Sequence, residues 1–332
     1  MKISQIQLLI TILIITVSCK EVVVSPYPDI IFEARSELPT GGRSTAVAFV
    51  INQRAYVALG RDFVNRPFND CWEYNPETDS WSQKANFPGV GRVNAIAEVI
   101  NGKAYVGLGF DPTKDAYKDS SILNDFWCYN PIDDSWQKKA DFPKNSDGTP
   151  PSVNSCFSFA IDSCIYVGAN FNGFKFDTEF WKYDTRNDSW QQIGNLPSRS
   201  TGAVSCTDGK RYFSGTGYQT VNDNCWWEYF PASDTWLKRK EMPDNGRLNA
   251  VSLSVENRFF VATGIHFGGT LTGGHLKSDI MEYNALKDVW YKRGELAGAR
   301  ENAVCFVIGN KAYIGFGENE TSVYNDLWSF KP

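Results

Sequence analysis

The stretch Asn124–Pro143, NDFWCYNPIDDSWQKKADFP, recurs along the chain with its aromatic residues in fixed register. Tyr74, Tyr129, Tyr183, Tyr229 and Tyr283 each precede a tryptophan by seven residues: Trp81, Trp136, Trp190, Trp236 and Trp290. Seven residues further on stand Pro88, Pro143, Pro197 and Pro243, with Ala297 in the fifth copy. Two residues before the tyrosines come Trp72, Trp127, Trp181 and Trp227, then Met281, and Trp328 precedes Phe330 in a truncated sixth copy. Ten of the 11 tryptophans hold repeat positions, and only Trp226 does not. Indoles this regular are structural before they are functional.

Upstream of each aromatic stretch lie two apolar runs separated by a turn pair, clearest in Ala95–Gly109, AIAEVINGKAYVGLG. Asn-Gly between apolar runs signals a two-residue hairpin, because a type I′ turn needs positive φ at both central residues. The equivalents of Asn101-Gly102 are Asn52-Gln53, Asp162-Ser163, Asp208-Gly209, Glu256-Asn257 and Gly309-Asn310. Each unit therefore reads as four short strands, two from the hairpin and one through each tryptophan region.

The beginning of the chain is of another kind. Lys2 followed by the apolar run Ile6–Val17 suits a signal-peptide core and is too short to span a bilayer. The run ends in Thr-Val-Ser-Cys, which resembles a bacterial lipoprotein signal with Cys19 as the lipidated new N-terminus, although Thr16 stands where such signals carry leucine. The expected division is a signal peptide over 1–18, a tether over 19–28 and one domain over 29–332. Within that domain, Phe32–Pro39 matches Trp81–Pro88 as an orphan fourth strand, and the last unit stops after its third strand at Trp328-Ser329-Phe330. The orphan completes the unfinished unit and closes a ring.

Composition fits an exported globular body. The chain has 332 residues, 14% aromatic and 21% charged, with a formal net charge of −5. That acidic balance argues against nucleic acid as a partner. Beyond Cys19 seven cysteines remain, an odd number without CxxC spacing, so they define neither a disulfide framework nor a metal site. Most fall in strands, where a small buried thiol is expected.

Four-stranded repeats of roughly 50 residues signal a β-propeller. The anchors Phe32, Trp81, Trp136, Trp190, Trp236 and Trp290 lie 49, 55, 54, 46 and 54 residues apart. The repeats resemble the kelch family over residues 29–332, in the glycines after the second strand, the tyrosine and the tryptophan at fixed distance from it. The family's Gly-Gly is here more often Gly-x-Gly, as in Gly107-Leu108-Gly109, Gly215-Thr216-Gly217 and Gly315-Phe316-Gly317. The resemblance implies an all-β, six-bladed propeller of four-stranded blades, closed by the N-terminal strand, with the first strand of each blade innermost.

On that arrangement the start of strand one and the loop between strands two and three open on the same face. At the start of strand one stand Arg43, Arg92, Val153, Arg199, Arg247 and Arg300, and two residues later Thr45, Asn94, Ser155, Thr201, Asn249 and Asn302. Two stacked rings are expected at one channel mouth, guanidinium groups above small polar side chains, able to take an anion with planar oxygens. The alternative is that the arginines hydrogen-bond loop carbonyls and brace the blades. Loops on the same face carry Phe63, Phe68, Phe110, Tyr117, Phe171, Phe174, Phe176, Tyr218 and Phe267, and aromatics beside hydrogen-bonding groups suit a sugar ring.

Catalytic motifs are nearly absent. Galactose oxidases are built on propellers similar to this one, but their copper site needs two histidines plus tyrosines. Here His266 and His275 share one Gly-rich loop, so neither a metal nor a cofactor is expected. Exported six-bladed kelch proteins include the N-acetylneuraminate epimerases, to which the chain is similar in architecture; for an activity of that kind Glu301 and His266 are the acid/base candidates. The expectation is a monomeric cell-envelope lipoprotein that binds an acidic saccharide or another anionic ligand through Arg43, Arg92, Arg199, Arg247, Arg300, Asn94, Asn249 and Asn302, with the membrane reached through lipid on Cys19. Alternatives are a sugar isomerase and a protein-binding scaffold.

Overall fold

The structure, a computed structural model, describes residues 25–115, 121–145, 148–149, 151, 153–168, 171, 176–219, 221–268 and 273–332. The signal segment, Cys19, Tyr117 and Phe174 lie outside the described residues. Six four-stranded antiparallel sheets form the blades of a β-propeller. In blade 2 the strands run Ile96–Ile100, Lys103–Gly107, Phe126–Asn130 and Ser135–Lys139 from the inside outward. The innermost strands, Val47–Ile51, Ile96–Ile100, Phe157–Ile161, Val204–Thr207, Val251–Val255 and Val304–Ile308, pack each on the next, and the first packs on the last. The ring is closed.

Local chemistry explains the blades. The hairpin pairs Asn52-Gln53, Asn101-Gly102 and Glu256-Asn257 have positive φ at both positions, as type I′ turns demand. Along each inner strand the side chains alternate, so Val47, Phe49 and Ile51 are buried between blades while Ala48 faces the channel. Six strands converging on one axis leave room only for small groups there. Ser205 Oγ donates to the Ser158 carbonyl at 2.6 Å, Ser252 Oγ to the Ser205 carbonyl at 2.7 Å, and Cys305 Sγ to the Ser252 carbonyl at 3.1 Å. These bonds stitch adjacent blades along the channel wall.

The aromatic repeat stitches them again at the rim. Tyr129 Oη donates to Asp134 Oδ1 at 2.7 Å; the same carboxylate accepts the backbone N–H of Ala85 in blade 1, and Trp136 Nε1 donates to the Ala85 carbonyl. Equivalent clamps join Tyr74, Asp79 and Trp81 to Ser36, Tyr183, Asp188 and Trp190 to Ala140, and Tyr283, Asp288 and Trp290 to Lys240. Each of these tyrosines is buried, whereas the clamp tryptophans of blades 1 to 3 are half-buried. The fully buried indole is Trp226, outside the repeat pattern, at the blade 4 position held by Phe126 in blade 2.

Blade 6 is built from both ends of the chain. Strand Glu33–Arg35 pairs antiparallel with Leu327–Phe330, with Glu33 opposite Ser329 and Arg35 opposite Leu327. Residues 25–28, assigned to the tether on sequence, pack on blade 5: Arg293 Nη2 donates to the Pro28 carbonyl, Ile30 N to the Arg293 carbonyl, and the Tyr27 ring covers Arg258 and Arg293. Beneath it Glu282, buried, pairs with both arginines.

Candidate functional site

The arginines do not converge on the mouth. Arg43, Arg92, Arg247 and Arg300 are each 0% exposed, with the guanidinium turned into its own blade. Arg92 Nη1 and Nη2 meet Asp125 Oδ1 and Oδ2 at 2.7 and 2.9 Å, Nη1 also donates to the Leu108 carbonyl, and Trp127 Nε1 donates to the second Asp125 oxygen at 2.7 Å. Arg43 repeats the pattern with Asp70, Leu59 and Trp72, and Arg300 with Asp326, Phe316 and Trp328. Arg247 pairs with Asp279 and Asp244, where Met281 stands in the tryptophan position. Burial would raise the Asp125 carboxyl, but the Arg92 hydrogen bonds and charge outweigh it and hold it below the usual range. Each arginine is thereby occupied within a blade, because a guanidinium matches a carboxylate two-pronged and a buried charge without a partner is costly.

Arg199 is placed elsewhere again. Blade 4 is out of register by one residue, so Ser200 takes the arginine position and donates Oγ to the Thr216 carbonyl 16 residues on, while Arg199 is exposed. Cys225 fills the aspartate position there, two residues before Trp227, whose buried Nε1 has no hydrogen-bond partner among the described residues. Blade 4 has thus lost cation and anion together. Blade 3 has Val153 at the arginine position and keeps a carboxylate, Glu179, which accepts from Trp181 Nε1.

The ring of small polar residues does line one cavity, formed by Thr45, Asn94, Ser155, Asn249 and Asn302 with Gly202 in place of Thr201. Each has positive φ, so strand one begins with a kink that brings the ring together. Just outside it, cross-strand pairs surround the opening: Ser44 with Arg61, Val93 with Phe110, Thr201 with Tyr218, Leu248 with Ile265 and Glu301 with Glu318. Phe171 takes the same place in blade 3, where Asn154 N donates to its carbonyl.

The mouth is two-sided as a result. Across blades 6 and 1, Arg61 Nη2 grips both Glu318 oxygens at 2.7 and 2.8 Å, while Ser44 Oγ and Asn302 Nδ2 donate to Glu318 Oε1 at 2.8 and 3.0 Å. Asn249 Nδ2 donates to Glu301 Oε2 at 2.8 Å. Burial raises the Glu301 carboxyl against that hydrogen bond, and the neighbouring Glu318 charge raises it further. Across blades 2 to 5 the rim is aromatic: Phe110, Phe171 against Phe176 at 4.8 Å, and Tyr218 edge-on to Phe267 at 5.5 Å. Arg61 and Glu318 carry no motif of their own, but Glu318 follows a Gly-x-Gly as Phe110 and Tyr218 do, and Arg61 follows Ala58-Leu59-Gly60 in the same place.

Below the mouth, Glu98 occupies the inter-blade position that Phe49, Phe159, Leu253 and Phe306 hold elsewhere, each opposite the hairpin aromatic of its own blade. Ser158 Oγ donates to it at 2.7 Å. Burial pushes this carboxyl up to about 7, with the bonds from Ser158 and the Ala160 N–H pulling the other way. An unfolded glutamate titrates near ~4.3, so between these values the folded chain holds the extra proton and stability falls as pH rises. Glu98→Gln is expected to flatten that slope, gaining about 1–3 kcal/mol at pH 8 relative to wild type and little at pH 4. Urea titrations of both proteins at the two pH values measure it, and parallel pH profiles would exclude the assignment.

His266 and His275 lie in a two-stranded ribbon on blade 5, Ile265–Phe267 paired with Gly274–Leu276. Among the described residues no group of three His, Cys, Asp or Glu side chains could hold a metal ion, and the seven described cysteines are free thiols.

Comparison with known proteins agrees with this geometry. The Kelch motif matches residues 42–88, the span of blade 1. The solved structure of YjhT superposes with a TM-score of 0.73, covering 88% of this chain and 95% of that one at 18% sequence identity. No curated protein matches the sequence.

Proposed function

From the premise that this chain is a six-bladed propeller of kelch repeats, we propose that it binds a saccharide at the channel mouth. The observation that carries the reading is the two-sided rim, with carboxylate and amide groups of Glu301, Glu318, Asn249 and Asn302 facing Phe110, Phe171, Tyr218 and Phe267. A pyranose offers hydroxyls to one side and an apolar C–H face to the other, and stacking on an aromatic face contributes without a charge. Acidity of the sugar finds less support, since Arg61 is already paired with Glu318. Glycan-array binding followed by titration calorimetry tests the site. Tyr218→Ala and Glu318→Ala are each expected to weaken the best ligand by about 1–3 kcal/mol; unchanged affinity in both would remove the mouth as the site.

A sugar isomerase remains the second reading, because Glu301 with its raised carboxyl can both accept and return a proton. Anomer exchange followed by proton NMR, with Glu301→Gln as control, separates turnover from binding. The proposal includes export and lipid attachment at Cys19: wild type should enter the detergent phase on partitioning and Cys19→Ala the aqueous phase, and an aqueous wild type would refute it.

A further inference from the structure

The chain contains two histidines in 332 residues. They stand directly opposite each other, His266 paired with His275 across the ribbon of blade 5. Directly opposed residues of an antiparallel pair present their side chains on the same face, with Cβ atoms about 5 Å apart. That separation suits two imidazoles converging on one ion at roughly 2.0–2.1 Å each. The tautomer is set as well. His266 Nδ1 lies 3.1 Å from the Gly246 carbonyl, which can only accept, so Nδ1 carries the proton and Nε2 keeps its lone pair. Donation of the second ring nitrogen to a backbone carbonyl is the support that metal-bound histidines commonly have.

The ribbon holds this pair in place. Asn222 of blade 4 grips Phe267 from both sides, Nδ2 donating to its carbonyl at 2.6 Å and Oδ1 accepting from its N–H at 2.9 Å. Ile265 bridges to Leu248 at the mouth. Glycine flanks the second strand, and Gly268 N donates to the Gly273 carbonyl at 2.7 Å, continuing the ladder beyond the histidines. His275 is exposed and His266 half-buried, so an ion arrives from solvent on the face of the ribbon.

We infer that His266 and His275 form a two-imidazole site for a divalent transition ion of the zinc or nickel class, at the rim of the mouth. Imidazole suits these ions, and two protein ligands leave coordination positions for water or for oxygen atoms of a bound molecule. The inference is independent of the saccharide reading.

The test uses the untagged protein and Ni²⁺ or Zn²⁺ alone. Calorimetric titration at pH 7.5 is expected to show one ion per chain, weakened about tenfold or more by either His266→Asn or His275→Asn, and retention on immobilised Ni²⁺ should fall in the same order. The double variant, with both histidines replaced, reports whatever the thiols bind. His275 touches no blade core, so His275→Asn should melt at the wild-type temperature, which separates lost binding from lost folding. Absence of binding by wild type, or binding unchanged in His275→Asn, overturns the assignment.

Discussion

Deletion of residues 25–39 is expected to leave a chain that fails to accumulate as soluble monomer. The segment buries Ile30 and Leu38, sets Phe32 edge-on to Phe330 at 5.3 Å, and supplies the strand that pairs with Leu327–Phe330. Removing a buried Leu, Ile or Phe side chain costs about 2–5 kcal/mol each, against a total stability of roughly 5–15 kcal/mol. The loss also spreads. Without Ser36, Asp79 and Trp81 of blade 1 have nothing to clamp, and without Pro28 and Tyr27 the Arg293–Glu282 pair of blade 5 opens to solvent. The newly bare edge of Leu327–Phe330 is a template for aggregation. Adding the excised segment as a synthetic peptide should recover soluble protein; a truncated chain that melts at the wild-type temperature would show that closure is dispensable.

The second large effect belongs to the arginines. Arg92→Ala should cost about 3–5 kcal/mol, since it strands the Asp125 carboxylate and leaves a guanidinium-sized hole. Blade 4 indicates how the cost can be avoided: there Ser200 and Cys225 replace both partners, and the fold persists although Trp227 Nε1 is left unmatched. A double variant, Arg92→Met with Asp125→Leu, should therefore lose less than Arg92→Ala alone, because removing a buried pair together can be close to neutral. Denaturant unfolding of the three proteins decides the matter. If Arg92→Ala is as stable as wild type, the guanidinium is not a brace.

This arginine also shows where sequence reasoning reached and where it stopped. Blade number, strand order and closure were legible because Tyr129, Trp136 and the Asn101-Gly102 turn each act through local geometry that repeats. The recurrence of arginine before strand one is visible in the sequence, and so is that of its partner, since Asp70, Asp125, Asp279 and Asp326 recur two residues before Trp72, Trp127, Met281 and Trp328, but only the fold pairs the two. A positive ring expected at the surface therefore became spokes inside the blades. The one-residue slip at Arg199 and Ser200 is hidden in the sequence because Tyr212, one residue before Phe213, reads as the hairpin aromatic; the Thr201–Tyr218 pairing and the Ser200 bond to the Thr216 carbonyl fix the register. Glu98 was hidden in an apolar strand, and the facing of His266 and His275 depended on a ribbon whose turn residues carry little periodic signal.

The direction of the first strand has a spatial consequence. Glu33 lies opposite Ser329 and Arg35 opposite Leu327, so the segment climbs from the hairpin-turn side toward the side where Arg43 begins blade 1. Residues 25–32 therefore lie toward the face remote from Glu301, Glu318 and Tyr218, where Tyr27 and Pro28 contact blade 5. An anchor acting through this segment, as proposed for Cys19, would hold the protein from behind, with the mouth turned outward.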